Sequence, residues 1–90
     1  MPEIGQRIGT YTIEEWISSN KHTSLYRVST KKGRSVQHAA MRIINIKTDI
    51  EAIKQLEQEH RILRLYNNSH IPKVYAYYPK EGALITEWAS

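Results

Sequence analysis

The chain contains no cysteine, and its 90 residues include only 3 prolines and 4 glycines. Without cysteine, disulfide bonds, thiolate metal ligands and a thiol nucleophile are all excluded. No apolar run approaches the roughly 18 residues that a membrane-spanning helix needs, and the N-terminus lacks the apolar stretch of a signal peptide. We therefore expect a cytoplasmic protein that does not enter a membrane.

Motifs for metal binding and for serine catalysis are also missing. The four histidines form no His-x-x-x-His or His-x-x-Glu string, which are the spacings that place two ligands on one metal. No serine lies in the strained turn of a nucleophile elbow. The sequence predicts no metal site and no hydrolytic triad.

Positive charge is in modest excess, with a formal net charge of +4. The basic residues are scattered, and their densest run, residues 31–34, contains a glycine and is typical of a turn. A solvated basic surface is therefore favoured over a nucleic-acid interface. A small basic nucleic-acid-binding domain stays open as an alternative, because such domains combine stacking rings with charge. The residues that suggest it are Tyr75, Tyr77, Tyr78, Arg61 and Arg64.

Alternation of apolar and polar residues indicates strands along much of the chain. Five strands are predicted, at residues 10–18, 24–30, 35–46, 73–78 and 83–88. The first eight residues show no pattern and are predicted to be irregular. Glycine-containing turns join two of the strand pairs, at residues 31–34 and 79–82.

The period changes to three or four residues between the third and fourth strands, where apolar positions include Ile50, Leu56 and Leu63. Thr48 and Glu51 have the spacing of a capping box, and Asn67-Asn68 is the predicted end of a helix of about 18 residues. The sequence thus predicts one α+β domain over residues 1–90. Its five-stranded antiparallel sheet would carry one long helix, in the order βββαββ.

Several strings in this order resemble the N-terminal lobe of eukaryotic-type serine/threonine protein kinases, over residues ~10–90. The resemblance places Ile17 at the apolar start of the glycine-rich loop and Leu25 in its valine position. The three glycine positions hold Ser18, Asn20 and Thr23. Glycine takes positive φ and lets backbone N–H groups approach phosphates, so these substitutes imply a degenerate loop in which Asn20 alone could be left-handed.

The string "AAMR" resembles the third-strand motif that ends in a phosphate-binding lysine. The resemblance implies that Ala40 covers the adenine ring and that Arg42 stands in the lysine position. In "EHRIL", Glu59 would be the helix carboxylate that pairs with this cation. We expect Arg42 to project toward Glu59 beneath the turn at residues 18–23.

The resemblance also implies an adenine site between the sheet and the hinge. Thr86 would be the gatekeeper, and Glu87 and Ala89 would offer backbone groups to the ring. The apolar walls would be Ile17, Leu25 and Ala40. The chain would end at the hinge, with the C-terminal lobe absent.

The His-Arg-Asp and Asp-Phe-Gly motifs, which supply the base and the magnesium ligands in this family, are not in the sequence. We therefore expect no catalytic residue in this chain and little or no binding of ATP and magnesium. The expected role is an N-lobe fragment of a kinase-like protein that works through binding or regulatory contacts, with a pseudokinase as one candidate parent. An active ATP-dependent serine/threonine kinase is the alternative parent.

The expected partners are the C-terminal lobe of the parent or another protein. Because a lobe cut at the hinge exposes the apolar surface that its partner lobe would cover, we also expect self-association through that face.

Overall fold

The computed structural model describes residues 2–66 and 70–88, which form six strands and one helix. The elements are β1 (Arg7–Ile8), β2 (Tyr11–Ser19), β3 (Thr23–Lys32), β4 (Ser35–Ile44), α1 (Ile50–Leu65), β5 (Val74–Tyr78) and β6 (Ala83–Glu87). The helix follows four strands, so the order is ββββαββ and the predicted order βββαββ is wrong by one strand.

All six strands belong to one antiparallel sheet, in the spatial order β1-β2-β3-β4-β6-β5. The sheet is curled, because the ring of Tyr78 in β5 lies against Gly9, which follows β1 at the other end of the sheet. Helix α1 contacts β4, β5 and β6. The α+β class, the antiparallel sheet and the single helix are therefore confirmed.

The missed strand is β1, which the sequence led us to expect as irregular chain. It pairs with the start of β2 through Arg7 and Thr12 and through Ile8 and Tyr11. Two residues are too few to show the alternation by which a strand is recognised. Ile8 nevertheless is buried in the core, which explains why this short segment is held in place.

Two turns have the chemistry that the sequence predicts. Between β3 and β4, Lys32 pairs with Ser35, and Gly33 has a φ of 62°. Between β5 and β6, Gly82 has a φ of 64° and donates its N–H to the carbonyl of Pro79 at 3.2 Å. Both glycines have the left-handed conformation that other residues adopt only with strain.

The sheet separates two apolar clusters. The larger cluster fills the interior of the curled sheet and includes Tyr26, Val28, Met41 and Ile85, all almost fully buried. The smaller cluster lies between the sheet and α1 and is formed by buried residues Ile44, Ala52, Leu56 and Leu84. The helix therefore rests on a thin core, to which it contributes two buried side chains.

The helix begins one residue later than a capping box at Thr48 would require. Asp49 is the N-cap, and its Oδ1 accepts the N–H of Ala52 at 3.1 Å. A carboxylate at the N-cap satisfies an otherwise unpaired N–H and favours the positive end of the helix dipole. Asp49 therefore takes the capping role that the spacing of Thr48 and Glu51 indicates for Thr48.

The apolar stripe of the helix is also shifted. Ala52 and Leu56 are buried, but Ile50 is 67% exposed. The described helix ends at Leu65, while the predicted end at Asn67-Asn68 lies outside the described residues. In the described ranges, no helix is both long enough and apolar enough to span a membrane.

A matched pair of glycine substitutions tests the packing at the β5–β6 turn. A Cβ on Gly82 would lie 2.5 Å from Cγ1 and Cδ1 of Ile44, whereas a Cβ on Gly33 would meet nothing within 4 Å. Both changes to alanine impose a left-handed strain of roughly 1–2 kcal/mol. Gly82→Ala should lower the free energy of unfolding by about 1–3 kcal/mol more than Gly33→Ala does, because it also overpacks the core.

Urea unfolding of the two variants checks this expectation. Equal losses of unfolding free energy would mean that the turn does not press against Ile44.

Candidate functional site

Strand β4 directs Arg42 toward the helix. Its even-numbered residues Ala40 and Arg42 face the side on which α1 packs, while Ala39 and Met41 point into the sheet interior and are fully buried. Nε of Arg42 lies 3.5 Å from Oε1 of Glu59, and the two side chains are 36% and 42% exposed. The predicted ion pair between the third long strand and the helix is therefore present.

A cleft of about 480 Å³ opens beside this pair. It brings together seven of the residues that the sequence singled out, namely Ile17, Leu25, Ala40, Arg42, Glu59, Thr86 and Glu87. Leu63, Pro72, Leu84 and Trp88 complete its lining. Such a cleft is apolar along the strands and charged where the helix meets them, the usual composition of a small-molecule site.

Strand pairing explains why residues so distant in sequence share this cleft. Ala40 pairs with Thr86 across β4 and β6, and Leu25 pairs with Arg42 across β3 and β4. Cross-strand partners project from the same face of a sheet. Ala89 lies outside the described residues. Whether the seven residues bind a nucleotide stays a prediction.

The β2–β3 hairpin tip does not have the open backbone of a phosphate loop. Oδ1 of Asn20 accepts the backbone N–H groups of His22 and Thr23, each at 2.8 Å, and Asn20 N–H donates to the carbonyl of Thr23 at 2.9 Å. The tip is thus an Asx-type turn in which a side-chain oxygen occupies the position of an external acceptor.

The backbone of the tip differs from one expectation. No residue other than glycine has positive φ in the described ranges, so Asn20 is not left-handed. An Asx turn removes the need for that conformation, because the side chain and not a reversed peptide plane reaches the N–H groups. Ser18 and Thr23 also lie at this hairpin, outside the residues that line the cleft.

A chain of hydrogen bonds fixes the hairpin tip to the segment after β4. Ser24 is 1% exposed, and its hydroxyl bonds to the Ser19 hydroxyl at 2.7 Å and donates to Oδ1 of Asn45 at 2.5 Å. Asn45 in turn donates its side-chain N–H to the carbonyl of Asn20 at 2.9 Å. These bonds satisfy a buried hydroxyl and hold the tip in one position.

The tip is also connected to the helix. Nδ1 of His22 lies 2.8 Å from Oδ2 of Asp49, the N-cap of α1, and Nη1 of Arg42 donates to the hydroxyl of Thr23 at 3.4 Å. The hydrogen bond from His22, with that from the Ala52 N–H, lowers the pKa of the Asp49 carboxyl. One short segment therefore contacts both the start of the helix and the cation of the cleft.

Sequence reasoning missed His22, Asn45 and Asp49 as members of this site. Asn20 carried a usable signal, because asparagine often accepts the N–H two residues ahead. The contact between His22 and Asp49 spans 27 residues, and no local pattern encodes it. Among the residues that the structure describes, no group of three or more His, Cys, Asp or Glu could hold a metal ion.

Comparison with known proteins does not assign the chain to a family: no protein-family model matches the sequence, and a search of curated proteins finds no match either.

The charge on Asp49 should contribute to stability above the carboxyl's unfolded-state pKa. Because its folded-state pKa lies below the usual value of 3.8, that contribution is lost as the pH falls through the folded-state value. Asp49→Asn keeps a good N-cap but removes the charge. Wild type should thus be more stable than Asp49→Asn at pH values above the usual carboxyl pKa, and the difference should disappear as the pH falls below the lowered folded-state pKa of Asp49.

Urea unfolding at a series of pH values measures this difference. Glu51→Gln is the control, because the Glu51 carboxylate is 4.0 Å from Nε2 of His22 and 71% exposed, and its effect should be smaller. A difference between wild type and Asp49→Asn that does not change with pH would contradict the assignment.

Proposed function

We propose that the chain is the N-terminal lobe of a protein kinase-like protein with a degenerate nucleotide loop, and that it acts through binding or regulatory contacts. The observation that carries this proposal is the state of the hairpin tip. The backbone N–H groups of His22 and Thr23, which would bind phosphate in an open loop, are occupied by Oδ1 of Asn20. A phosphate would have to displace this side chain before it could use them.

The arrangement of residues around the cleft supports the proposed relation to kinase N-lobes. A cation on a central strand pairs with a helix carboxylate, and an apolar cleft adjoins the pair under a two-stranded hairpin. This combination is the one that kinase-like N-lobes use to hold the adenine and the phosphates of ATP. We infer that Ile17, Leu25 and Ala40 form the adenine walls, with Thr86 as the gatekeeper.

Catalysis by this chain alone is not part of the proposal. Phosphoryl transfer needs a residue that orients the hydroxyl group and ligands for magnesium, and the sequence holds neither the His-Arg-Asp nor the Asp-Phe-Gly motif. At the cleft, arginine replaces the usual lysine, and its planar guanidinium does not place a point charge as an ammonium does. The proposed role is thus contact with a partner in the cytoplasm.

The N-lobe of an active serine/threonine kinase is the second candidate. The intact pair between Arg42 and Glu59 favours it, because active kinases need the equivalent pair. The two candidates differ in what they require of the hairpin tip: the active lobe requires that ATP displaces Asn20 readily. Nucleotide affinity therefore separates them.

Isothermal calorimetry with magnesium-ATP tests the loop assignment. Wild type should show no low-micromolar binding, whereas Asn20→Gly combined with Arg42→Lys should bind at least about tenfold more tightly, a gain of about 1.4 kcal/mol. The gain is expected because the first change exposes two N–H donors and the second restores a compact cation.

Lys21→Gly is the matched control, because it adds a glycine to the same tip without removing the side-chain oxygen of Asn20. Low-micromolar affinity in wild type would reject the degenerate loop and favour the active kinase.

Self-association is the expected behaviour of the isolated chain. Ile17, which lines the cleft, is 37% exposed, and Ile62 and Leu65 on α1 are 44% and 72% exposed. Such apolar surface favours contact with a second lobe or a second copy. Analytical ultracentrifugation should show a mass that rises with concentration, and Ile17→Glu should reduce the rise.

Ile46→Glu is the control for that experiment, since Ile46 is 60% exposed on the connection between β4 and α1. A monomer whose mass is independent of concentration would refute self-association.

A further inference from the structure

A second and larger concavity, of about 850 Å³, lies between the C-terminal half of α1 and β5. We call it the β5 groove. Its helix side is formed by His60, Leu63 and Arg64, and its strand side by the consecutive residues 73–77. Nothing in the proposed nucleotide site uses the strand side of this groove, so it needs a separate explanation.

The strand side of the groove includes the edge of β5 as well as its side chains. Tyr75 and Tyr78 pack against the sheet-interior cluster, while Val74 and Tyr77 pack against the cluster under the helix. Both faces of β5 are packed, so an uninterrupted lining by residues 73–77 indicates that the groove follows the edge of the strand, which has a register shift between Val74 and Ala76. β5 pairs with β6 along one edge, and in the described chain no strand pairs with the other edge of β5.

An unpaired strand edge offers backbone N–H and C=O groups in a row. Such an edge is a template for an extended polypeptide, which can add to the sheet as a further strand. The groove beside it supplies the depth that side chains of the added strand would need. This feature favours a ligand with a peptide backbone.

Charge indicates which kind of polypeptide fits. Arg64 and Lys73 are exposed basic residues of the lining, and none of the described lining residues is Asp or Glu. An adjoining concavity adds Arg61, next to a single acidic residue, Glu57. With a net charge of +4, the chain would attract an acidic segment both at a distance and at contact.

A single-stranded nucleic acid would also be attracted by these charges, but two of the three tyrosines that line the groove are poorly placed to stack on its bases. The ring of Tyr77 is covered by His60, with centroids 4.4 Å apart and planes inclined by 32°. Tyr75 is half-buried against the sheet-interior cluster. Base stacking needs an open ring face, and of the lining tyrosines Tyr66 is the exposed one, at 59%. The choice of a polypeptide over a nucleic acid therefore rests on the unpaired edge of β5, which pairs with a peptide backbone.

We propose that the β5 groove binds an extended acidic polypeptide segment, which pairs through its backbone with the edge of β5 and places carboxylates against Arg64 and Lys73. The proposal does not rest on the kinase-like function, since it uses the sheet edge and the charges of the groove and not the hairpin tip.

Fluorescence anisotropy with a labelled peptide of about eight alternating Glu and Val residues tests the proposal, as this length matches a typical strand. Arg64→Glu and Lys73→Glu should each weaken binding by roughly tenfold. Lys54→Glu should leave the affinity within about twofold, because Lys54 is an exposed residue of the same helix outside the groove. Far-ultraviolet circular dichroism checks that the variants are folded.

Three further probes test separately the need for peptide charge, the need for backbone hydrogen bonds and the class of ligand. A Gln-for-Glu peptide and a peptide with N-methylated backbone should both bind much more weakly, and a single-stranded RNA oligomer should not compete. Amide signals of residues 73–77 should shift on addition of the acidic peptide.

Equal binding of the N-methylated peptide would overturn the edge pairing. RNA binding that depends on Arg64 and Lys73, without peptide binding, would overturn the choice of ligand. Failure of the acidic peptide to bind at about millimolar concentration would overturn the site.

Discussion

The alternation of side chains along β4 determines which residues fill the sheet interior and which face the helix and the cleft. β4 lies between β3 and β6, so both of its edges are paired and its register is fixed on two sides. Ala39, Met41 and Ile43 fill the sheet interior, which forces Arg42 to the opposite face. A shift of one residue would bury the cation and expose the core side chains. The position of Arg42 opposite Glu59 is thus a consequence of how the core is packed.

The hairpin tip obeys a different constraint, which is that backbone N–H groups need acceptors. In an open phosphate loop, a ligand provides those acceptors. Here Asn20 provides one from within the tip, and Asn45 and Asp49 hold the tip from outside. The same chemistry that stabilises the turn without a ligand thereby competes with any anion that could bind there.

The sequence was sufficient to predict the elements in which a repeating pattern extends over several residues. The central strands, the helix and the two glycine turns are all predictable, because each rests on several residues of one pattern. β1 is not predictable, since two residues cannot express a period, and Ile8 is held by tertiary burial. The helix start was misassigned because Asp49 and Thr48 are both good caps, and the choice depends on a contact with His22.

The site was predictable to a similar degree. The pair of Arg42 and Glu59 follows from strand alternation and helix spacing, both local patterns, together with the resemblance to kinase N-lobes. The role of Asn45 does not follow from any local pattern, because Asn45 bonds to Asn20 and Ser24, which are 25 and 21 residues away in the sequence. Such contacts appear only when the curled sheet brings the hairpin tip onto the segment between β4 and α1.

Helix α1 connects the two concavities. Leu63 and Pro72 line both the cleft beside Arg42 and the β5 groove, so a ligand in either one would contact a common wall. The helix is held by two buried side chains, by its N-cap contact with His22 and by a half-exposed ion pair. Half-exposed ion pairs contribute about 1 kcal/mol or less to stability. A thin core also contributes little, because a small domain buries a smaller fraction of its surface. Under the proposed function, a partner that binds against such a helix would supply part of the contacts that fix its position.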